Sequence, residues 1–120
     1  LGSVINVEEK QMDAVTGLSG SGPAYVFYFL KALTEGGMKA GLSKDVSRKL
    51  ALDTLYGAVL MASSTDKSFD DLINMVKTPG GTTEKGLLKL EEYNLEKAVI
   101  EAIKKATERS KELGEVYGKC

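Results

Sequence analysis

Residues 24–33 read AYVFYFLKAL, and a helix built from them is apolar on every side. Only Lys31 interrupts the run, and Pro23 fits the first position of such a helix, where its missing N–H costs nothing. A helix that is apolar all round has to be buried all round. Two ways of burying it are open from the pattern alone: a central place in a monomeric bundle, or an intertwined dimer in which a second chain supplies the covering surface.

The rest of the chain also predicts helices. No stretch sustains a period-two alternation of apolar and polar residues, so we expect an all-α bundle of about five helices. The expected bounds are about Pro23–Lys39, Lys44–Ser63 with Ser43 as N-cap, a short helix capped by Ser68 and ending at Val76, Thr83–Tyr93, and Leu95–Leu113. Leu1–Gln11 is expected to be an irregular linker, and Met12–Gly22 a loop.

Charge and apolar run length exclude several classes of partner. The 120 residues carry 16 basic and 17 acidic side chains, a net charge of -1, which gives no electrostatic reason to bind nucleic acid or an anionic membrane. The longest uncharged apolar run, residues 24–30, is far shorter than the ~20 residues that cross a bilayer. The first residues do not resemble a signal peptide. We expect neither nucleic acid nor membrane as a partner.

The chain contains no histidine and one cysteine. A Ser-His-Asp triad and a His-ligated metal are therefore excluded for this chain alone, and we expect no metal site. Chemistry would have to use hydroxyls, carboxylates, lysines or backbone amides. A single cysteine, the terminal Cys120, forms no intrachain disulfide, which suits a reducing compartment and leads us to expect a cytoplasmic protein.

The stretch GLSGSGPAY, residues 17–25, combines three glycines with the start of the predicted apolar helix. The unpaired N–H groups at a helix start can hold an anion or a polar ligand. The spacing is not that of a dinucleotide fingerprint. Close packing between helices also explains these glycines, and composition alone favours that interpretation over a ligand site.

A second candidate site is KTPGGTTE, residues 77–84. Pro79 disfavours helix at the preceding residue, while Gly80 and Gly81 can adopt positive φ and leave their amides unshielded. With a helix starting next, these amides would form a nest of donors suited to a small carboxylate, flanked by threonine hydroxyls. The alternative is an ordinary corner between helices with a threonine N-cap.

A third candidate is the acidic set formed by Asp66, Asp70 and Asp71, which precedes and opens the short predicted helix. Acidic residues are favoured at a helix start by the helix dipole. A solvated helix cap explains this set better than a site does.

The two glycine-rich stretches together resemble a known family. DAVTGLSGSGPAYVFYFLKALTEGGMKAGL followed by VKTPGGTTEKGLLKLE is similar to pyrroline-5-carboxylate reductases, over nearly the whole chain. The resemblance is to the C-terminal helical half of those enzymes. It implies that residues 1–11 are a linker from an N-terminal Rossmann domain, not contained in this chain, and that residues 12–120 form a helical dimerisation and substrate-binding domain.

The resemblance also implies roles for individual residues. The turn binds the substrate carboxylate, through Thr78, Gly80, Gly81, Thr82 and Thr83, and the Thr83 hydroxyl acts in catalysis near the ring nitrogen. The wall of the active site near the nicotinamide is implied to contain Ser19, Gly20, Ser21, Gly22 and Pro23. Lys77 departs from the family, which usually has Ser, Thr, Ala or Cys there, and this leaves the polarity of the pocket rim unassigned.

The implied function is reduction of 1-pyrroline-5-carboxylate to L-proline in proline biosynthesis, by an oxidoreductase using NADPH or NADH that the N-terminal domain mainly binds. The chain alone would then be inactive, and a homodimer whose dimers can assemble further into rings. Two alternatives remain: an assembly module only, or the substrate domain of a related imine or ketone reductase.

Overall fold

The computed structural model describes residues 5–117, and within that range it contains helices and no strand. The α-helices are α1 (Met12–Val15), α2 (Gly22–Lys39), α3 (Lys44–Ser63), α4 (Phe69–Val76), α5 (Thr82–Glu92) and α6 (Leu95–Tyr117). A 3-10 turn, Glu9–Gln11, precedes α1, and a π-helical turn, Thr16–Gly20, follows it. The predicted all-α class is confirmed, and α2 to α6 are the five helices expected from the sequence.

The predicted helix limits agree closely with the observed ones. Helix α3 has the predicted bounds, and its N-cap Ser43 accepts a hydrogen bond from the Val46 N–H at 3.3 Å. Ser68 caps α4 in the same way by accepting from the Asp71 N–H at 3.1 Å. Short polar side chains at these positions satisfy amides that the helix itself leaves unpaired.

The loop predicted for residues 12–22 is wrong. Residues 12–20 are helical, first as α1 and then as the π-helical turn, and Ser21 follows as the connection to α2. The prediction weighed the glycines as helix breakers, but packing against α6 outweighs their low helix propensity. The expected irregular linker is also partly wrong, because Glu9–Gln11 forms a 3-10 turn; residues 1–4 of that linker lie outside the described range.

The chain divides into two compact units, one from the described parts of Leu1–Tyr25 and Asn94–Cys120, the other Val26–Tyr93. In the first unit, the π-helical turn packs closely against α6. Gly17 is buried, and a Cβ built there would meet Thr107 Oγ1 and lie 2.9 Å from the Ile103 carbonyl oxygen. The Ser110 hydroxyl, on α6, donates to the Asp13 carboxylate of α1 at 2.8 Å. Because Gly17 has no side chain, the π-helical turn can approach α6 this closely.

In the second unit, a tight turn joins α2 to α3. Gly41 has φ +114, and the Leu42 N–H donates to the Gly37 carbonyl at 3.0 Å, as in a Schellman motif. The Ser47 hydroxyl of α3 donates to the Thr34 carbonyl of α2 at 2.7 Å, and Ser47 is only 3 % exposed. This hydrogen bond and the turn hold the C-terminal end of α2 against the first turn of α3.

Very few described residues are buried within one chain. Among residues 5–116, whose burial is described, the buried ones are Gly17, Ser47 and Ala51. On α2, Phe27 is 67 % exposed and Tyr28 75 % exposed. The helix that the sequence requires to be covered on all sides is thus left largely open by its own chain, as expected if a second chain covers it. No helix in the described range is both long enough and apolar enough to span a membrane.

Candidate functional site

The turn between α4 and α5 has the interruption that its proline predicts. Helix α4 ends at Val76, and Lys77 is extended with φ -80 and ψ 119. Gly80 has φ +74, in the left-handed region that favours glycine. Gly81 differs from the expectation: its φ is -84 and its ψ 179, so it needs no left-handed conformation.

Gly81 is required by space rather than by backbone angle. Its N–H donates to the Thr78 carbonyl at 2.9 Å, which closes the turn. A Cβ built on Gly81 would lie 2.5 Å from the Thr78 hydroxyl oxygen and 3.1 Å from the Thr78 carbonyl oxygen. A larger residue at this position would therefore force the Thr78 side chain to move and the Thr78 carbonyl to shift slightly.

Helix α5 begins at Thr82, one residue earlier than predicted, with Gly81 as its N-cap and no side-chain cap. The threonine N-cap considered as an alternative is therefore absent. The N–H groups of Thr82, Thr83 and Glu84 donate to no acceptor in the described part of the chain, as is usual for a helix's first turn. They lie at the positive end of the α5 dipole, where an anion is stabilised.

The amides of Gly80 and Gly81 are engaged within the chain. Gly81 donates to Thr78, as described, and the Gly80 N–H donates to the Glu84 carboxylate oxygen Oε1 at 3.0 Å. The sequence interpretation did not consider Glu84. With Gly81 as the N-cap, Glu84 is the third helical residue, a position from which a glutamate commonly reaches back to a free amide.

Thr83 also borders an apolar groove. This groove, the α3–α5 groove, is open to solvent, has a volume of about 800 Å³ and is lined by residues of α3, α4 and α5. Thr83 is half-buried, whereas its neighbour Thr82 is exposed. The groove's walls are mainly apolar, from residues including Leu55, Val59, Leu72, Ile73, Val76 and Leu87. A threonine in the first turn of α5 thus lines the groove next to the unpaired amides.

The other predicted segment, residues 19–23, belongs to the first unit. Ser19 and Gly20 end the π-helical turn, whereas Gly22 and Pro23 open α2, so Pro23 is the second helical residue and not the first. The Ser21 N–H donates to the Thr16 carbonyl at 2.9 Å. A Cβ added to Gly22 would meet nothing within 4 Å, so its backbone is open to an approaching group.

Tyr25 supports this segment from inside the first unit. Its hydroxyl donates to the Gly17 carbonyl at 3.3 Å, linking the first turns of α2 to the π-helical turn. The sequence places Tyr25 in the apolar run and at the end of the glycine-rich stretch 17–25, but it does not predict this hydrogen bond. The signal that distinguishes it is its spacing: a tyrosine eight residues after a glycine, across a turn of small residues.

The acidic set is placed as a solvated cap would be. Asp70 and Asp71 lie in the first turn of α4, and all three aspartates, including Asp66, are exposed. Across residues 5–117 there is no group of three or more acidic, cysteine or histidine side chains that could hold a metal ion.

Comparison with known proteins places these features in one family. The sequence model described as "Pyrroline-5-carboxylate reductase dimerisation" matches residues 9–113. The pyrroline-5-carboxylate reductase of Synechocystis sp. is 45% identical over 114 residues, covering 95% of this chain and 43% of the relative. That of Methanosarcina acetivorans is 43% identical over 114 residues, covering 95% of the chain and 42% of the relative.

Solved structures give the same result. The Plasmodium falciparum pyrroline carboxylate reductase with NADP bound matches with a TM-score of 0.90 and 39% identity, covering 94% of this chain and 43% of that one. The Streptococcus pyogenes 1-pyrroline-5-carboxylate reductase matches with a TM-score of 0.89 and 34% identity, covering 92% and 43%. The chain spans about two fifths of the length of these relatives. With a family match over 9–113 and this similarity in fold, the chain belongs to the pyrroline-5-carboxylate reductase dimerisation family.

Proposed function

We propose that this chain is the helical dimerisation and substrate-binding part of a pyrroline-5-carboxylate reductase, which reduces 1-pyrroline-5-carboxylate to L-proline. The observation that supports this most directly is the start of α5. There, unpaired N–H groups of Thr82 and Thr83 stand beside the Thr83 hydroxyl, at the positive end of a helix. A carboxylate accepts from amides so arranged, and in a member of this family we propose that it is the carboxylate of the substrate.

The turn then acts by positioning the substrate. The Thr82 and Thr83 amides hold the carboxylate, while Gly80 and Gly81 give the turn its shape and Thr78 closes it by accepting from Gly81. Holding the ring by its carboxylate fixes which face of the C=N bond is presented to the hydride donor.

Thr83 is the proposed catalytic residue, because its side chain is half-buried and lines the α3–α5 groove, whereas the side chain of Thr82 is exposed. Reduction adds a hydride to the imine carbon and needs a proton on the nitrogen. A threonine hydroxyl is too weak an acid to supply that proton alone, so Thr83 orients the nitrogen and passes on a proton from water.

The hydride is supplied by NADPH or NADH when bound. Residues 5–117 contain no strand and hence no strand–turn–helix unit for a dinucleotide. We propose that an N-terminal Rossmann domain of the longer protein binds most of the cofactor, with residues 1–11 as the linker to it. Ser19–Pro23 would then contribute only a wall beside the nicotinamide, and the openness of the backbone at Gly22 fits that role.

We also propose that the functional unit is a homodimer, in line with the dimerisation family and with the exposed apolar faces of α2 and α3. Assembly of dimers into rings and a cytoplasmic location belong to the same proposal.

The test compares the longer protein with the isolated chain. The longer protein should oxidise NADPH or NADH in the presence of 1-pyrroline-5-carboxylate and form proline. The isolated chain should sediment as a dimer, bind no NADPH by calorimetry and show no turnover. Absence of proline formation by the longer protein, with both cofactors offered, would refute the proposed activity.

A further inference from the structure

The side chain of Glu84 lies across the N-terminus of α5. Glu84 is the third residue of the helix and half-buried, and its Oε1 accepts from the Gly80 N–H at 3.0 Å. In an ordinary capping box this glutamate bonds to the N-cap amide. Here the N-cap amide, that of Gly81, already donates to Thr78, so Glu84 reaches one residue further back.

Nothing in the described part of the chain neutralises this carboxylate. Glu84 forms no ion pair there, and its only side-chain hydrogen bond is the one to Gly80. The turn does not depend on it alone either, because the Gly81–Thr78 hydrogen bond closes the same turn independently. The charge of Glu84 is therefore separable from the shape of the turn.

We infer that the negative charge of Glu84 repels the substrate carboxylate and thereby sets the affinity of the site for the substrate. This inference rests on the proposed function, in which the substrate carboxylate binds the Thr82 and Thr83 amides. A second anion at that place would lie within one helical turn of the Glu84 carboxylate. The dipole of α5 places only about half a positive elementary charge at its N-terminus, and this charge is shared by the Glu84 carboxylate and the substrate carboxylate.

Substitution separates the charge of Glu84 from its hydrogen bond. Glu84→Gln keeps an oxygen that can accept from Gly80 and removes the charge, whereas Glu84→Ala removes both. In the longer protein with saturating cofactor, Glu84→Gln should lower KM for 1-pyrroline-5-carboxylate about 3- to 10-fold, with kcat changed less than about twofold. Product inhibition by L-proline should strengthen by a similar factor.

Two controls isolate the electrostatic effect. Glu91→Gln removes an exposed charge near the far end of the same helix, where no hydrogen bond or ion pair involves it, and should leave KM and kcat unchanged. Prolinamide lacks the negative carboxylate, so its inhibition constant should change less than about twofold on Glu84→Gln.

The outcomes separate this inference from the proposed function. If the unsubstituted longer protein forms no proline, the proposed function fails and the inference fails with it. If that protein is active but Glu84→Gln and Glu84→Ala both leave KM unchanged or raise it, the reductase assignment stands and the proposed effect of the Glu84 charge on substrate affinity is refuted. A lower KM for the substrate, with no matching change for prolinamide, supports this effect.

Discussion

At the scale of single residues, Thr83 combines two properties that its neighbours do not share. Its amide is unpaired at the start of α5, and its side chain borders the α3–α5 groove. Thr82 has the same free amide but an exposed side chain, outside the groove lining. The contrast predicts unequal effects of the same substitution at adjacent threonines.

In the longer protein, Thr83→Ala should lower kcat/KM for 1-pyrroline-5-carboxylate by roughly ten- to several-hundred-fold. That corresponds to the loss of one or two oriented hydrogen bonds, ~1–3 kcal/mol. Thr83→Ser, which keeps the hydroxyl, should recover most of the rate, and Thr82→Ala should have a smaller effect. A Thr83→Ala variant with unchanged kinetics and a lowered melting temperature would make Thr83 a structural residue only.

Gly81→Ala should harm activity more than its small size suggests. The new Cβ would lie 2.5 Å from the Thr78 hydroxyl oxygen and 3.1 Å from the Thr78 carbonyl oxygen, so the Thr78 side chain must move and the carbonyl that closes the turn must shift. Gly86→Ala on the same helix is a matched control, because a Cβ there meets nothing within 4 Å. Steady-state kinetics of the two variants decide the matter: equal activities would contradict the close approach at Gly81.

The turn shows how far residue types predict a site. Pro79 and Gly80 determine the break and the left-handed residue locally, so the sequence predicted both. The reason given for Gly81 was wrong. A glycine is needed there because a Cβ would contact Thr78, and not because the backbone adopts a positive φ. The partner of the Gly80 amide was missed because it depends on which residue is the N-cap.

At the scale of elements, the helices that carry their own end signals were predictable and the π-helical turn was not. Ser43 and Ser68 mark the starts of α3 and α4 from within the sequence. Residues 16–20 are helical because α6, nearly ninety positions later in the chain, packs against Gly17. A local sequence pattern does not reveal a contact with a distant helix. The prediction therefore relied on the low helix propensity of glycine and was wrong.

Gly17→Ala should therefore destabilise the domain by about 1–3 kcal/mol, the usual cost of forcing extra volume into a close contact. Gly20→Ala, in the same π-helical turn, would place its Cβ an ordinary 3.7 Å from the Thr16 methyl carbon and should cost less than about 0.5 kcal/mol. Thermal and urea unfolding of both variants measure the difference. Equal free energies of unfolding for the two variants would mean that Gly17 does not pack closely against α6.

At the scale of the whole molecule, the apolar surface of α2 requires a partner chain. Phe27→Asp makes this testable, since Phe27 is 67 % exposed within its own chain. In a monomer the change should be nearly neutral; in a dimer it would bury an unpaired charge, costing several kcal/mol, and separate the chains. Asn74→Asp adds the same charge at an exposed polar position of α4 and should leave a dimer in sedimentation. A stable Phe27→Asp dimer would place the interface elsewhere.

Only three residues in the described range are buried within one chain: Gly17, Ser47 and Ala51. This small buried core has a thermodynamic consequence. Most of the free energy that holds such a protein together is gained when two chains meet, so unfolding and dissociation become one bimolecular equilibrium. Each tenfold dilution then removes about 1.4 kcal/mol of apparent stability. The melting midpoint of the isolated chain should fall steadily as the sample is diluted from millimolar to micromolar, which calorimetry and circular dichroism can follow; a midpoint independent of concentration would mean that each chain folds by itself.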